Sequence, residues 1–469
     1  MTETLPTEVH PLDSAIRESV ELGLPRTIAD LSRLVRIPSV SWAAFDAAHV
    51  ATSAEAVAEL ARGLEVFDTV EIRRAATESG EQGQPAVLAR REAKNGRPTV
   101  LLYAHHDVQP PGDDEHWSTP PFEPTVVGER LYGRGSADDK AGVMAHIAAI
   151  RSLLEVGGGD PDLGIALFVE GEEEFGSRSF ANFLAENREA LEADVIIVAD
   201  SNNWDIDTPA VTVALRGNVT LRLTVSTLSH ASHSGMFGGP VPDAMLATIR
   251  LLATLHDDEG AVAVDGLTST EFETPDYSEE QLRDEAGLLD GVTPIGRGSI
   301  LSRIWAQPAI TVTGIDAPSV ANASNTLSPS ISVRISARIA PGQDAAEAFE
   351  ALEKHLRAHA PFGAHIEIDD VDTGQPFLVD TSGWAVAAMR ESMADAWERE
   401  PVDIGVGGSI PFIADLVRVF PSAQILVTGV EDPDSRAHSP NESLHLGVFR
   451  RAVLSEALFL ARLDSAANE

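Results

Sequence analysis

A chain of 469 residues exceeds what one hydrophobic core ordinarily organises, so two domains are expected. Its 43% hydrophobic and 23% charged residues suit a globular protein, and a net charge of −39, from 73 acidic against 34 basic residues, repels nucleic acid and anionic membrane surfaces. With no cysteine, disulfides and thiolate metal sites are excluded, and any metal must take histidine and carboxylate ligands.

No apolar run is long enough to span a bilayer, and the first twenty residues carry neither the basic nor the apolar segment of an export signal. A cytoplasmic protein is the expectation. Helical periodicity over Leu12 to Val35 stops at Pro38; Ser53 to Val66 reads as a helix and Thr69 to Arg74 as a strand. Pro98 to Tyr103 is a continuous apolar run, as a buried strand requires. Gly142 to Val156 is helical, Leu163 to Val169 a strand, Phe180 to Arg188 a helix and Val195 to Ala199 a strand. This alternation predicts an α/β domain with a mostly parallel sheet flanked by helices.

The texture changes near Thr208-Pro209. Ala210 to Thr227 alternates as a half-exposed strand, Pro242 to Leu255 is a helix, and the acidic stretch Asp257 to Asp290 reads as loop and short helix. Strands at Ile310 to Thr313 and Ile331 to Ile339, a helix at Asp344 to Ala358 and a strand at His365 to Val371 complete a β-α-β-β-α-β order, that of a small α+β sandwich. After Gly374-Gln375-Pro376 the α/β texture resumes with a helix at Ala385 to Trp397, a strand at Gln424 to Thr428 and a helix at Leu446 to Leu463. The expected organisation is an α/β domain in two parts, 1–208 and 377–469, interrupted by an inserted domain at 209–376.

Five side chains suited to metals follow the apolar runs: His105, Asp138, Glu174, Asp200 and His438. Two histidines and three carboxylates make one ligand set for a pair of divalent metals that share a carboxylate. In Tyr103 to Val108, strand alternation puts Tyr103, His105 and Asp107 on one face and turns His106 away, so Asp107 can orient the His105 ring. Asp138 or Asp139 alone reads as a helix N-cap, and the acids from Glu170 to Glu174 alone read as a solvated run. Placed together at the carboxyl ends of strands in an open sheet, where such folds bind ligands, they point to cations. Two glycine-rich spots, His233 to Gly239 and Gly407 to Pro411, read as turns, the second with backbone N–H groups suited to a carboxylate. Neither HExxH nor GxSxG occurs.

The motifs HxDVQP at His105 to Pro110, LYGRGxxDDK at Leu131 to Lys140, EGxEExGS at Glu170 to Ser177 and HSGxxGG at His233 to Gly239 resemble a dinuclear-zinc peptidase family. That family includes carnosinase-like dipeptidases, aminoacylases, carboxypeptidase G and succinyl-diaminopimelate desuccinylase, and the match is greatest to the dipeptidase branch. The resemblance runs from about Leu31 to the final helix. It implies a zinc-exopeptidase-like catalytic domain with an inserted lid and dimerisation domain, two divalent ions (Zn²⁺ first, Mn²⁺ or Co²⁺ as alternatives) and a homodimer. By position it makes Asp138 the bridge, gives one metal Glu174 and His438 and the other His105 and Asp200. Glu173 takes the place of the general base and Asp107 that of the histidine-orienting acid. His233 matches a lid histidine that reaches the partner subunit's site, Arg338 a substrate-carboxylate arginine, Gly408 and Ser409 a substrate loop, and Asn325 a substrate contact.

The function expected is metal-dependent hydrolysis of dipeptides or short peptides that carry a free C-terminal carboxylate, with Glu173 moving the proton. Two other readings stay open: an amidohydrolase of the same family acting on N-acyl or carbamoyl amino acids, and a non-catalytic dimeric binding protein.

Overall fold

The computed structural model describes residues 11–270, 274–407 and 411–465. They form two compact units, one of Met1–Val213, Val379–Asp403 and Asp415–Glu469, the other of Ala214–Leu378 and Ile404–Ala414. The segment 404–414, which the sequence reading leaves with the second part of the α/β domain, thus clusters with the second unit.

A six-stranded sheet forms the centre of the first unit, in the spatial order Thr69–Arg73, Ala86–Arg91, Gly164–Glu170, Thr99–His105, Val195–Val198 and Gln424–Val427. The last four strands run parallel, and the first two add an antiparallel edge. Gly164–Glu170, Thr99–His105 and Val195–Val198 are buried at every residue, which is why they read as unbroken apolar runs. Helices Pro11–Val35, Lys140–Gly157, Trp384–Trp397 and Leu446–Ser465 pack together beside them, and Ala47–Arg62 lies on the antiparallel edge. Lys140–Gly157 is apolar almost all round its first fourteen residues, and all of these are buried. Its His146 ties three elements, with Nδ1 2.9 Å from Glu456 Oε1 of the last helix and Nε2 2.9 Å from the Tyr103 carbonyl. Among the described residues no helix is long and apolar enough to cross a membrane.

Glycine permits two close approaches at the carboxyl edge of this sheet. A Cβ on Gly142 would lie 2.1 Å from Asp139 Oδ1 and 2.5 Å from the Ala199 carbonyl; one on Gly429 would lie 1.6 Å from the Ser201 carbonyl. A side chain at either place would push apart the segments that bear Asp138, Asp200 and His438.

In the second unit the strands Ala309–Asp316, Ser330–Ile339, Gly217–Ser226 and His365–Gly374 form an antiparallel sheet in that order. Burial alternates residue by residue along Ser330–Ile339, with Ile331, Val333, Ile335, Ala337 and Ile339 inward. These and the inward residues of Gly217–Ser226 share one core with the helices Ala244–Ala253 and Ala345–Ala358. The β-α-β-β-α-β order is the expected one. Within the long connection stand two short helices, Glu279–Ala286, opened by a Ser278–Gln281 capping box, and Ile300–Trp305. The strand expected over Ala210 to Thr227 is two strands, Ala210–Leu215 and Gly217–Ser226, parted at Arg216. The alternation runs on through the break, so pattern alone does not register a change of partner.

Candidate metal centre

Four strand ends and one helix start bring the five side chains to one edge of the first unit's sheet. His105 closes the strand Thr99–His105, and Asp138 stands just before the helix that opens at Lys140. Glu174 lies in a 3₁₀ turn, Glu173–Phe175, after Gly164–Glu170. Asp200 lies two residues past Val195–Val198, and His438 is in the loop after Gln424–Val427. The peptide bond Asp138–Asp139 is cis, and His438 holds a φ of 62°.

Asp138 faces both histidines. Its Oδ1 is 3.2 Å from His105 Nε2 and its Oδ2 3.0 Å from His438 Nε2. Glu174 Oε2 is 3.1 Å from the same His438 nitrogen. His105, Asp138 and Glu174 each bring one donor atom within 4.8 Å of the others, and so do His105, Glu173 and Asp200. Glu173 Oε2 lies 3.9 Å from His105 Nε2 and makes no closer ion pair among the described residues. Imidazole nitrogens and carboxylate oxygens, with no thiolate, are donors that fit Zn²⁺, Mn²⁺ or Co²⁺.

A second layer of polar contacts holds these side chains in place. His105 Nδ1 is 3.1 Å from the Asp107 carbonyl and 3.4 Å from its Oδ1, so the ring turns Nε2 toward Asp138. The buried Asp107 carboxylate accepts the backbone N–H groups of Glu173 and Glu174, at 3.1 Å each, and the Ser41 hydroxyl at 2.7 Å. Asp139 Oδ2 accepts the His105 N–H. His106 points away, as alternation predicts, with Nε2 2.9 Å from the Pro85 carbonyl; burial lowers its pKa to about 4 and keeps the ring neutral.

Sequence reading missed three members of this layer. Gln109 donates its backbone N–H and its Nε2 to the two oxygens of Glu174, at 3.1 and 2.7 Å. Glu442 accepts the backbone N–H groups of Gly135, Ala137 and Asp138, which folds the Asp138 loop around one buried carboxylate. Arg134, itself buried, balances it at 2.6 Å. The signal was an arginine in one motif and an acid four residues after His438 in another, opposite charges 308 positions apart.

The electrostatics are those of a site crowded with negative charge. Burial, with repulsion from neighbouring carboxylates, pushes Glu174 up to about 7 and Asp200 to about 6, and raises Glu173 well above the usual carboxylate range. Burial opposes ionisation of Asp138 too, yet hydrogen bonds from His105 and His438 hold it below that range. Contacts with Asp138 and Glu174 raise His438 to about 11. Divalent cations would relieve the repulsion among these acids.

The remaining predicted residues lie in the second unit. His233 pairs with Thr326 in a two-residue ladder, its ring accepting the Gly235 N–H, while the Asn325 carbonyl accepts the Ser234 N–H; the structure thus brings His233 and Asn325 together on an exposed loop pair. Arg338 is half-buried at the end of Ser330–Ile339, and burial lowers its pKa. Gly408 and Ser409 lie outside the described residues.

Residues 101–462 match the family model "Peptidase family M20/M25/M40". A cysteinylglycine-S-conjugate dipeptidase of Corynebacterium striatum is 35% identical over 379 residues, which cover 80% of this chain and 83% of that protein. Among solved structures, the di-peptidase Dug1p of Saccharomyces cerevisiae superposes with a TM-score of 0.79 at 21% identity, over 97% of this chain and 99% of that one. Human carnosine dipeptidase 1 does so with 0.78 at 22%, over the same shares. At such identities the two structures speak for the fold.

Proposed function

The chain belongs to peptidase family M20/M25/M40, and on that premise we propose that it hydrolyses dipeptides or short peptides with a free C-terminal carboxylate, using two divalent metals. It is a hydrolase acting on peptide bonds. One observation carries the finer reading: the two oxygens of Asp138 face two different histidines, as a bridging carboxylate must.

In this reading Asp138 bridges, Glu174 and His438 hold one ion, and His105 and Asp200 hold the other. Bound there, the ions would supply an activated water and polarise the scissile carbonyl. Glu173 takes the proton from the attacking water and returns it to the leaving amine; its carboxylate stands beside the cluster while its backbone is fixed by Asp107. Asp107 keeps the His105 ring in register. Arg338 and the Gly408-Ser409 pair take the substrate's C-terminal carboxylate, which favours small peptides over proteins, and Asn325 makes a further substrate contact.

The test is a panel read before and after chelation: cysteinylglycine S-conjugates and β-alanyl-histidine, suggested by relatives' names, beside N-acyl and carbamoyl amino acids. The expected result is dipeptide turnover that chelation lowers by about 10²-fold or more and Zn²⁺ or Mn²⁺ restores. Turnover indifferent to chelation sinks the metal mechanism. Turnover of N-acyl substrates alone moves the protein to the amidohydrolase reading, and inactivity on every substrate with full metal content leaves the binding-protein one.

We further propose a homodimer in which His233 serves the partner subunit's site, stabilising the charge that develops on the scissile carbonyl. Its exposed position on a short ladder leaves the ring available to a second chain. A folded monomeric variant is then expected to lose turnover, and one that works at the parent rate removes this role.

A further inference from the structure

The segment Val40-Ser41-Trp42 runs beside the metal centre within the first unit. Val40 bridges to Val108, the Ser39 carbonyl accepts the Val108 N–H at 3.1 Å, and the Ser41 hydroxyl donates to Asp107 at 2.7 Å. The Trp42 carbonyl accepts the Phe45 N–H at 2.9 Å and closes a turn. Trp42 therefore starts one residue, about 3.8 Å of chain, from a side chain that touches the histidine-orienting acid. Its ring lies 5.0 Å from that of Phe175, centroid to centroid, at 36°.

Phe175 comes to this contact from the metal ligands themselves. It follows Glu174 in the turn Glu173–Phe175, and about three residues complete a 3₁₀ turn, so the three side chains diverge. Glu174 meets His438, Glu173 stands near His105, and Phe175 meets Trp42. The Arg178 guanidinium lies 4.3 Å from the centre of the Phe175 ring, and the buried Glu172 holds it at 3.4 Å. The two rings are thus fixed by the protein alone.

They are not finished as a core. Trp42 remains 38% exposed and Phe175 half-buried, so an aromatic surface faces water beside a cluster of carboxylates. Ligand sites are mostly apolar surfaces with a few polar groups set among them, and a rigid aromatic ring loses little freedom when it is covered. A peptide whose scissile carbonyl lies at the metals carries its nearest side chains within one residue of that carbonyl. With the C-terminal carboxylate given to Arg338 and the Gly408-Ser409 pair, the side chain still to be placed is that of the N-terminal residue.

We propose that Trp42, backed by Phe175, is the subsite for this side chain and selects N-terminal residues that are apolar or aromatic. The proposal rests on the dipeptidase reading above.

The experiment compares the metal-loaded, full-length parent with W42A and W42F on phenylalanyl-glycine, leucyl-glycine and glycyl-glycine, which share their C-terminal residue. For the parent, kcat/KM is expected to be at least about tenfold higher for phenylalanyl-glycine than for glycyl-glycine, with leucyl-glycine between them. W42A is expected to lower that ratio about tenfold, and W42F, which keeps a smaller ring, about threefold. A parent that does not prefer the apolar residues overturns the proposal. So does a ratio that stays within about 1.5-fold of the parent's in W42A and W42F, because a loss shared by all three substrates reads only the metal centre. If W42A fails to fold by circular dichroism, W42F decides; failure of both places Trp42 in the scaffold and overturns the proposal. If the parent turns over no dipeptide, the functional reading has failed. Calorimetric binding of phenylalanyl-glycine and glycyl-glycine to the parent and W42F then reads the Trp42 proposal separately, and an unchanged preference overturns it.

Discussion

Replacing Glu173 by glutamine is expected to lower turnover by about 10²–10⁴-fold while metal content stays at the parent level. Glutamine keeps the length and shape of the side chain and the backbone N–H that Asp107 Oδ1 accepts at 3.1 Å, so the turn Glu173–Phe175 has no reason to move. What disappears is a basic oxygen 3.9 Å from His105 Nε2, the one to which the proposed mechanism gives the proton transfer. Burial pushes the Glu173 pKa well above the usual carboxylate range, with His105 pulling the other way; such a group takes a proton more readily than an exposed glutamate does. Steady-state kinetics beside metal analysis of the same preparation check the claim. Turnover within about tenfold of the parent, with metal content unchanged, would take the general-base role from Glu173.

Glu173 and Glu174 also show how far sequence reaches. Their neighbourhood was legible because it obeys local rules: strand alternation chose His105 over His106, and unbroken apolar runs located three of the strands whose ends carry the site. Choosing between the two adjacent glutamates was not a local matter, and only family resemblance separated them. The two side chains do have different surroundings in the structure. Gln109 donates to both oxygens of Glu174, and Glu174 also meets His438, whereas Glu173 lies at the side of the cluster. Such contacts join residues 65 or more positions apart, and no periodicity encodes them. The same holds for Glu442, which organises the Asp138 loop from 304 positions away, and for Ser41, which reaches Asp107 across 66. The antiparallel edge strand Ala86–Arg91 went unread because it is short and ends in two arginines.

Asp138→Asn should separate binding from proton transfer by the opposite signature, losing metal and turnover together. Asp138 presents Oδ1 to His105 and Oδ2 to His438, and the hydrogen bonds from these histidines hold it ionised against the penalty of burial. An amide keeps one of the two oxygens and replaces the other with an NH₂ group that has no lone pair to give, so one ion loses a ligand outright. The backbone has no cause to shift, because Glu442 holds the loop through the N–H groups of Gly135, Ala137 and Asp138, which the substitution leaves alone. Changes that only disturb the orientation of a ligand cost about 10- to 100-fold in metal affinity, and removing a shared ligand should exceed the upper figure. Metal content is expected to fall from about two equivalents per chain to about one or less, with turnover reduced by a factor on the order of 10³. Asp200→Asn is the control: Asp200 belongs to the group with His105 and Glu173 but not to the group with Glu174, so its loss should weaken one ion and spare the other. If D138N retains both equivalents and turns over normally, Asp138 is not the bridge, and its two histidine contacts hold the fold rather than the metals.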